Sequence, residues 1–204
     1  MSTHQQQWNK LVNDYRKRTY SQPLEENWSK SRNTFKIQQE KSEWMEVLKL
    51  LSEQNKKFDI LEIGAHDGGS SYSLSKFASS MITIDNNIKC RFNTQILKEH
   101  CDYTYIGGNS HSNEIFNKVK DKKFDVLFID GDHSYEGVKQ DYNMYKPLVK
   151  KGGTIIFHDI AETKLHKDLG CRVDILWNEI KTNYTNPTEI LHNPNGFGIG
   201  IINT

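Results

Sequence analysis

Short runs of β-branched and aromatic residues recur at an even interval through the middle of the chain. They begin at Phe58 (FDILEI), Ser80 (SMITI), Asp102 (DYTYI) and Phe124 (FDVLFI), each 22 residues after the last. That interval holds one strand, one helix and two tight turns. A fifth run, Thr154–Phe157 (TIIF), follows after a longer gap. The stretches between, Ser70–Ser79, Ile88–His100, Asn113–Lys120 and Tyr135–Val149, are compatible with helices. The last has the best stripe, with Tyr135, Val138, Tyr142, Tyr145 and Val149 at helical spacing. Continuously apolar strands alternating with helices predict a parallel sheet covered on both faces.

The flanks differ. Residues 1–57 read as an N-terminal helical extension, with Trp44, Val47, Leu48 and Leu51 as an apolar stripe after a polar stretch carrying Pro23. Residues 58–204 read as the core domain. Near its end Ile175–Ile180 suits a helix, followed by two short strand candidates, Pro187–Leu191 and Gly196–Ile201. Two strands so close in sequence make one antiparallel to the rest. The expected fold is therefore α/β and Rossmann-like: a doubly wound, mostly parallel seven-stranded sheet with an antiparallel C-terminal strand.

Composition narrows the partners. With 27 basic and 26 acidic side chains, no electrostatic footprint for nucleic acid stands out. No apolar run approaches a membrane span, and the N-terminus has no apolar segment of the signal-peptide kind. Cys90, Cys101 and Cys171 are isolated and odd in number, as expected of reduced thiols. A cytoplasmic protein acting on a small molecule is expected; a homo-oligomer is compatible with this composition.

Leu61-Glu62-Ile63-Gly64-Ala65-His66-Asp67-Gly68-Gly69-Ser70 runs from a predicted strand into a predicted helix. Glycines there permit a tight turn and close approach to a ligand, and the helix start offers free N–H groups. Asp85 closes the next strand 21 residues after Gly64, where a carboxylate can accept both ribose hydroxyls. The plainer alternative is a simple turn with Asp85 capping a helix. A dinucleotide site requires a second glycine where Ala65 stands, so that backbone can approach a pyrophosphate. S-adenosylmethionine has no pyrophosphate. This stretch resembles the first motif of class I methyltransferases, especially catechol-type O-methyltransferases. The resemblance implies S-adenosylmethionine as cofactor, held by Glu62, Gly64, Ala65, His66, Gly68 and Ser70, with Asp85 and Asn86 at the ribose. It also implies that Gly108, Asn109 and Ser110 hold the adenine, although many relatives carry aspartate at the position of Asn109.

The most distinctive stretch is Phe128-Ile129-Asp130-Gly131-Asp132-His133-Ser134-Tyr135-Glu136, followed by Phe157-His158-Asp159-Ile160. Asp130 and Asp159 fall just past two successive strands, at the edge where open α/β sheets bind ligands. Carboxylates converging with histidines suit Mg²⁺ or a similar divalent cation. Over roughly residues 40–204 the pattern resembles metal-dependent sugar and macrolide O-methyltransferases and the cephalosporin hydroxylase-like group. By that resemblance Asp130, Asp159 and His158 are metal ligands, Asp130 also adjoins the cofactor, and His133 with Asp130 is catalytic. Ile160 departs from the catechol-type pattern, which has a ligating asparagine there.

An unactivated alcohol has a pKa of about 15.7, against about 6.5 for histidine. A divalent ion closes much of that gap and fixes the hydroxyl's position, leaving His133 to take the proton. Two chelating hydroxyls favour a vicinal diol, so a sugar hydroxyl is the expected acceptor. Plainer roles fit other residues. Asp132 and Ser134 suit a helix cap, Asp141 a helix face, and His66 and His111 polar loop positions. His4, His100, His166 and His192 carry no signal. Trp8, Tyr15, Tyr20, Trp28 and Phe35 suit helix anchors better than an acceptor pocket, and Ala161–Gly170 suits a lid. The rival functions are an NAD-dependent oxidoreductase, a non-catalytic nucleotide-binding protein and a metal hydrolase.

Overall fold

A computed structural model describes residues 21–87, 90, 94–193 and 196–204. Two helices, α1 (Gln22–Phe35) and α2 (Lys41–Glu53), precede β1 (Phe58–Ile63). There follow α3 (Gly69–Ser75), β2 (Ala78–Asp85), a 3₁₀ segment (Thr94–Glu99), β3 (Asp102–Gly107), α4 (Asn113–Asn117) and β4 (Phe124–Ile129). The chain closes with α5 (Tyr135–Tyr145), β5 (Val149–His158), α6 (Lys164–Asp168), α7 (Val173–Ile180), β6 (Thr188–Ile190) and β7 (Ile199–Asn203). The seven strands form one sheet in the order β3-β2-β1-β4-β5-β7-β6. Pairing is parallel from β3 through β5, and β7 runs antiparallel to both β5 and β6. The expected α/β architecture is the one observed.

Element boundaries shifted for local reasons. The helix expected over Ser70–Ser79 stops at Ser75, because Ala78 and Ser80 already pair with β1. There Ser79 and Ser80 donate hydroxyl hydrogen bonds to Asp59. The Tyr135–Val149 helix ends at Tyr145 and tightens into a 3₁₀ turn around Pro147, and Val149 opens β5. Of the Ile88–His100 helix, Thr94–Glu99 is 3₁₀, while residues 88–89 and 91–93 lie outside the described residues.

One apolar layer lies on each face of the sheet. The layer containing Ile60, Met81 and Phe128 also takes in Leu24, Trp28, Trp44 and Leu48 from α1 and α2, so residues 21–57 share the core of the strands. Close packing is possible because α3 is built from serines. Ser31 and Ser73 share a hydroxyl contact of 2.5 Å, and Asn27 Nδ2 donates to the Ser73 carbonyl at 3.1 Å. Trp28 and Phe35 are buried anchors; Trp8, Tyr15 and Tyr20 lie outside the described residues. No helix among the described residues is long and apolar enough to cross a membrane.

Glu43 on α2 is wholly buried, and it accepts N–H hydrogen bonds from His192 at 3.1 Å and Gly198 at 3.0 Å. This fastens the helical extension to the β6–β7 segment. Glu43→Ala orphans both donors, and we expect a loss of about 1–3 kcal/mol in urea denaturation. An unchanged midpoint would show that the tie contributes nothing.

Candidate active site

The carboxyl ends of β1, β2, β3 and β4 open onto a cavity of about 610 Å³, a size suited to a nucleotide-sized ligand. Gly64 makes that edge possible. Its φ is +79°, and a Cβ there would fall 2.0 Å from the Asp130 carbonyl oxygen. The loops after β1 and β4 therefore touch through backbone alone. On the opposite wall, a Cβ on Gly69 would overlap Ile37 Cα at 2.5 Å, which brings residues 36–39 over the cavity.

Most of the expected cofactor residues line this cavity: Gly64, Ala65, His66, Ser70, Asp85, Asn86, Gly108, Asn109, Ser110 and Asp130. Glu62 and Gly68 do not, and their expected direct contact is corrected accordingly. Glu62 is fully buried behind the wall. It accepts hydroxyl hydrogen bonds from Ser70 at 2.6 Å and Thr83 at 2.8 Å, and from Ser71. Burial pushes its carboxyl up to about 7 against the pull of those hydroxyls. Glu62 thus braces the start of α3 and reaches the cavity only through Ser70. Gly68 is the N-cap of α3, with φ +94°.

Asp85 is already engaged by backbone. Its Oδ2 accepts N–H groups of Ala65 at 2.6 Å and His66 at 2.9 Å, and its Oδ1 accepts Asn87 N–H at 2.5 Å. A carboxylate has about four lone-pair sites, so the loop consumes most of them. The same bonds fix the turn that follows Gly64.

Beside the cavity the ends of β4 and β5 bring Asp130, His133, His158 and Asp159 together, with one ligating atom of each within 4.8 Å of the others. His133 Nε2 lies 3.2 Å from Asp130 Oδ1 and 2.9 Å from Asp159 Oδ2. His158 Nδ1 lies 3.0 Å from Asp130 Oδ1 and 3.3 Å from Asp159 Oδ1. Asp159 adopts φ +64°, a conformation that costs a non-glycine residue energy and recurs at active sites as well as in turns. Ile160 is buried, so the position expected to carry a ligand in catechol-type enzymes supplies packing instead.

Electrostatics follow from burial. Desolvation works against the His133 imidazolium, but hydrogen bonds and charge from Asp130 and Asp159 outweigh it and push the ring up to about 10. His158 is likewise raised, burial being overridden by the same two carboxylates. Burial opposes ionisation of Asp130 and Asp159, yet the neighbouring histidines hold both below the usual carboxylate range.

Three neighbours had no sequence signal. Gln39 Nε2 donates to Asp130 Oδ2 at 2.5 Å, and it comes from the segment before α2. His166 Nε2 lies 3.4 Å from Asp159 Oδ1, and its Nδ1 is 2.7 Å from the Ala161 carbonyl oxygen. Asp141, expected on a helix face, is fully buried beside His111 at 3.3 Å. The cap of α5 is Ser134, whose hydroxyl accepts Gly137 N–H, while Asp132 accepts Ser134 N–H.

The raised His133 has a measurable consequence. Because its folded value exceeds the ordinary 6.5, its stabilisation is complete below pH 6.5 and is lost as pH rises to about 10. With EDTA present, the thermal midpoint should fall across that window, and fall less in His133→Asn. Identical pH profiles would contradict the His133 ion pairs.

Known proteins fit this geometry. Residues 61–160 match the family model described as a methyltransferase domain. An uncharacterized protein of Acanthamoeba polyphaga mimivirus is 32% identical over 129 residues, 57% of this chain and 58% of that protein. The chain therefore spans little more than half the length of that relative. Among solved structures, a candidate caffeoyl-CoA O-methyltransferase from Staphylococcus aureus matches with TM-score 0.65 and 22% identity, over 96% of this chain and 97% of its own. The N-methyltransferase NodS from Bradyrhizobium japonicum, bound to S-adenosyl-L-homocysteine, matches with TM-score 0.62 and 13% identity, over 97% and 96%. MycE of the mycinamycin pathway, complexed with Mg, SAH and mycinamycin VI, matches with TM-score 0.55 and 17% identity, over 76% of this chain and 46% of its own. The sheet order, the Gly64 loop and the matched segment agree: residues 61–160 match a methyltransferase domain, and the fold is the one these methyltransferase structures share.

Proposed function

We propose that the chain is an O-methyltransferase that binds a divalent cation, Mg²⁺ or similar, and methylates a hydroxyl of a small molecule, with a sugar or other vicinal diol favoured. The fold alone does not choose the acceptor atom, since both O- and N-methyltransferases share it. The observation that carries the proposal is the Asp130–His133–His158–Asp159 cluster beside the cofactor cavity. Its donors are two carboxylates and an inward-facing imidazole nitrogen, a hard set that suits such a cation. Asp159 Oδ1 is buried, and the groups nearest it are ring nitrogens of His158 at 3.3 Å and His166 at 3.4 Å, at the long end of hydrogen-bond distance. In this reading Asp130, Asp159 and His158 hold the ion. When bound, it would fix the acceptor's hydroxyls and lower their pKa.

The chain's own groups have distinct tasks. The Gly64 loop, Asp85, Asn86 and the Gly108–Ser110 loop hold the cofactor. Glu62 and Gly68 act behind it, through α3. Gln39 steadies Asp130 from the side of the N-terminal extension, which supports reading residues 21–57 as a cap over the site. His133, whose side chain is 42% exposed, is the member of the cluster open to an acceptor. Its proton is held up to about 10 while both carboxylates face it. It therefore serves as a base only once their charge is engaged elsewhere. An NAD-dependent oxidoreductase is disfavoured by Ala65, which stands where a dinucleotide site requires a glycine.

Labelled-methyl transfer from S-adenosylmethionine to sugars, nucleotide sugars and catechols tests this directly. Transfer should require Mg²⁺ after EDTA treatment, and His133→Ala should lower kcat by about 10²–10⁴-fold. Full activity after EDTA would refute the metal role; full activity in His133→Ala would refute the assigned base.

A further inference from the structure

Helix α5 turns Asp141 toward the loop after β3, where the carboxylate has no solvent exposure and is faced by the side chains of Ser110 and His111. Such burial is costly unless a partner offsets it. His111 stands beside it, with Nε2 at 3.3 Å from Oδ1 and equally shut off from water. Two further contacts bind the same loop to the same helix. Tyr145 Oη donates to the Ser110 carbonyl at 2.7 Å, and Gln140 Nε2 donates to the His111 carbonyl at 3.3 Å. A Cβ on Gly131 would stand 3.2 Å from Asp141 Oδ2. Asp141 therefore lies directly beneath the cavity's backbone floor.

We propose that Asp141 positions His111 as the hydrogen-bond acceptor that recognises the 6-amino group of the cofactor's adenine. The inference rests on the assignment of the cavity to S-adenosylmethionine. A carboxylate facing Nε2 selects the tautomer with its proton on Nε2 and leaves a lone pair on Nδ1. His111 lines the cavity, and among the described residues its Nδ1 has no partner. The neighbouring side chains are less suited to accept. Asn109 Oδ1 already takes the His111 N–H at 2.9 Å, which leaves its amide NH₂, a donor, for the ligand. Asp132 is folded back on α5: its Oδ1 takes Ser134 N–H at 2.9 Å, and a Cβ on Gly137 would lie 2.4 Å from its Oδ2. A purine with a 6-oxo group offers no donor there and would set two acceptors face to face. Sites built around a substrate N–H discriminate well for that reason.

Calorimetric titration with S-adenosylhomocysteine and S-inosylhomocysteine, which differ by a 6-amino against a 6-oxo group and by the N1 proton of the oxo form, reads this contact through the change in their ratio between wild type and variants. The wild type should bind the adenine form at least about tenfold more tightly. Asp141→Asn, which can support either tautomer, should bring the ratio close to unity. The double variant His111→Phe/Asp141→Leu leaves no orphaned charge and should do the same, so the result does not depend on Asp141→Asn folding. A wild type that binds S-adenosylhomocysteine without preference, or a preference that survives in a folded variant, overturns the inference and leaves the cofactor assignment standing. A wild type that binds neither compound overturns both.

Discussion

Two carboxylates stand at neighbouring strand ends with little access to water, and much of the surrounding architecture serves to hold them there. Asp130 and Asp159 are 12% and 9% exposed at the side chain. Alone, two such charges would repel each other and favour protonation. Parallel pairing of β4 with β5 places them side by side regardless. His133 and His158 supply the compensating charge, and Gln39 fills another acceptor site on Asp130. Asp159 keeps a left-handed backbone to stay in position. The proposed cation site rests on this concentration of acceptors held by displaceable protons.

The nucleotide cavity depends on the same strand ends. The loop after β1 reaches the loop after β4 only because Gly64 has no Cβ to meet the Asp130 carbonyl. Asp130 thus lines the cavity on one side and belongs to the acid–histidine cluster on the other. Asp85 tightens the first loop through three backbone N–H groups, while α5 fastens the loop after β3 through Tyr145 and Gln140. Donor and acceptor halves of a methyl transfer would share one rigid rim.

Much of this was legible in the sequence because strand burial and strand-end chemistry are local signals. The even spacing of FDILEI, SMITI, DYTYI and FDVLFI marks β1–β4; Asp85 ends, and Asp130 and Asp159 follow, strands that hydrophobicity alone identifies. What was not legible came from contacts between distant segments. Gln39 meets Asp130 across 91 positions, in a stretch with no pattern of its own. Asp141 looks like a solvated helix residue, yet the face it occupies is covered by the β3 loop. His166 becomes part of the site only because the chain after Asp159 folds back. Glu62 shows the reverse: its motif suggested a ligand contact, and its complete burial reveals a brace.

The claim that the acid–histidine cluster is a cation site held ready by protons is open to one direct measurement. Mg²⁺ or Mn²⁺ titrated calorimetrically into the S-adenosylhomocysteine-saturated protein near pH 8, in buffers of different ionisation enthalpy, reports how many protons leave per ion bound. Release of about one proton or more per ion is expected, because the ion and the histidine protons compete for Asp130 and Asp159. Binding without proton release, or no binding at all, would contradict it.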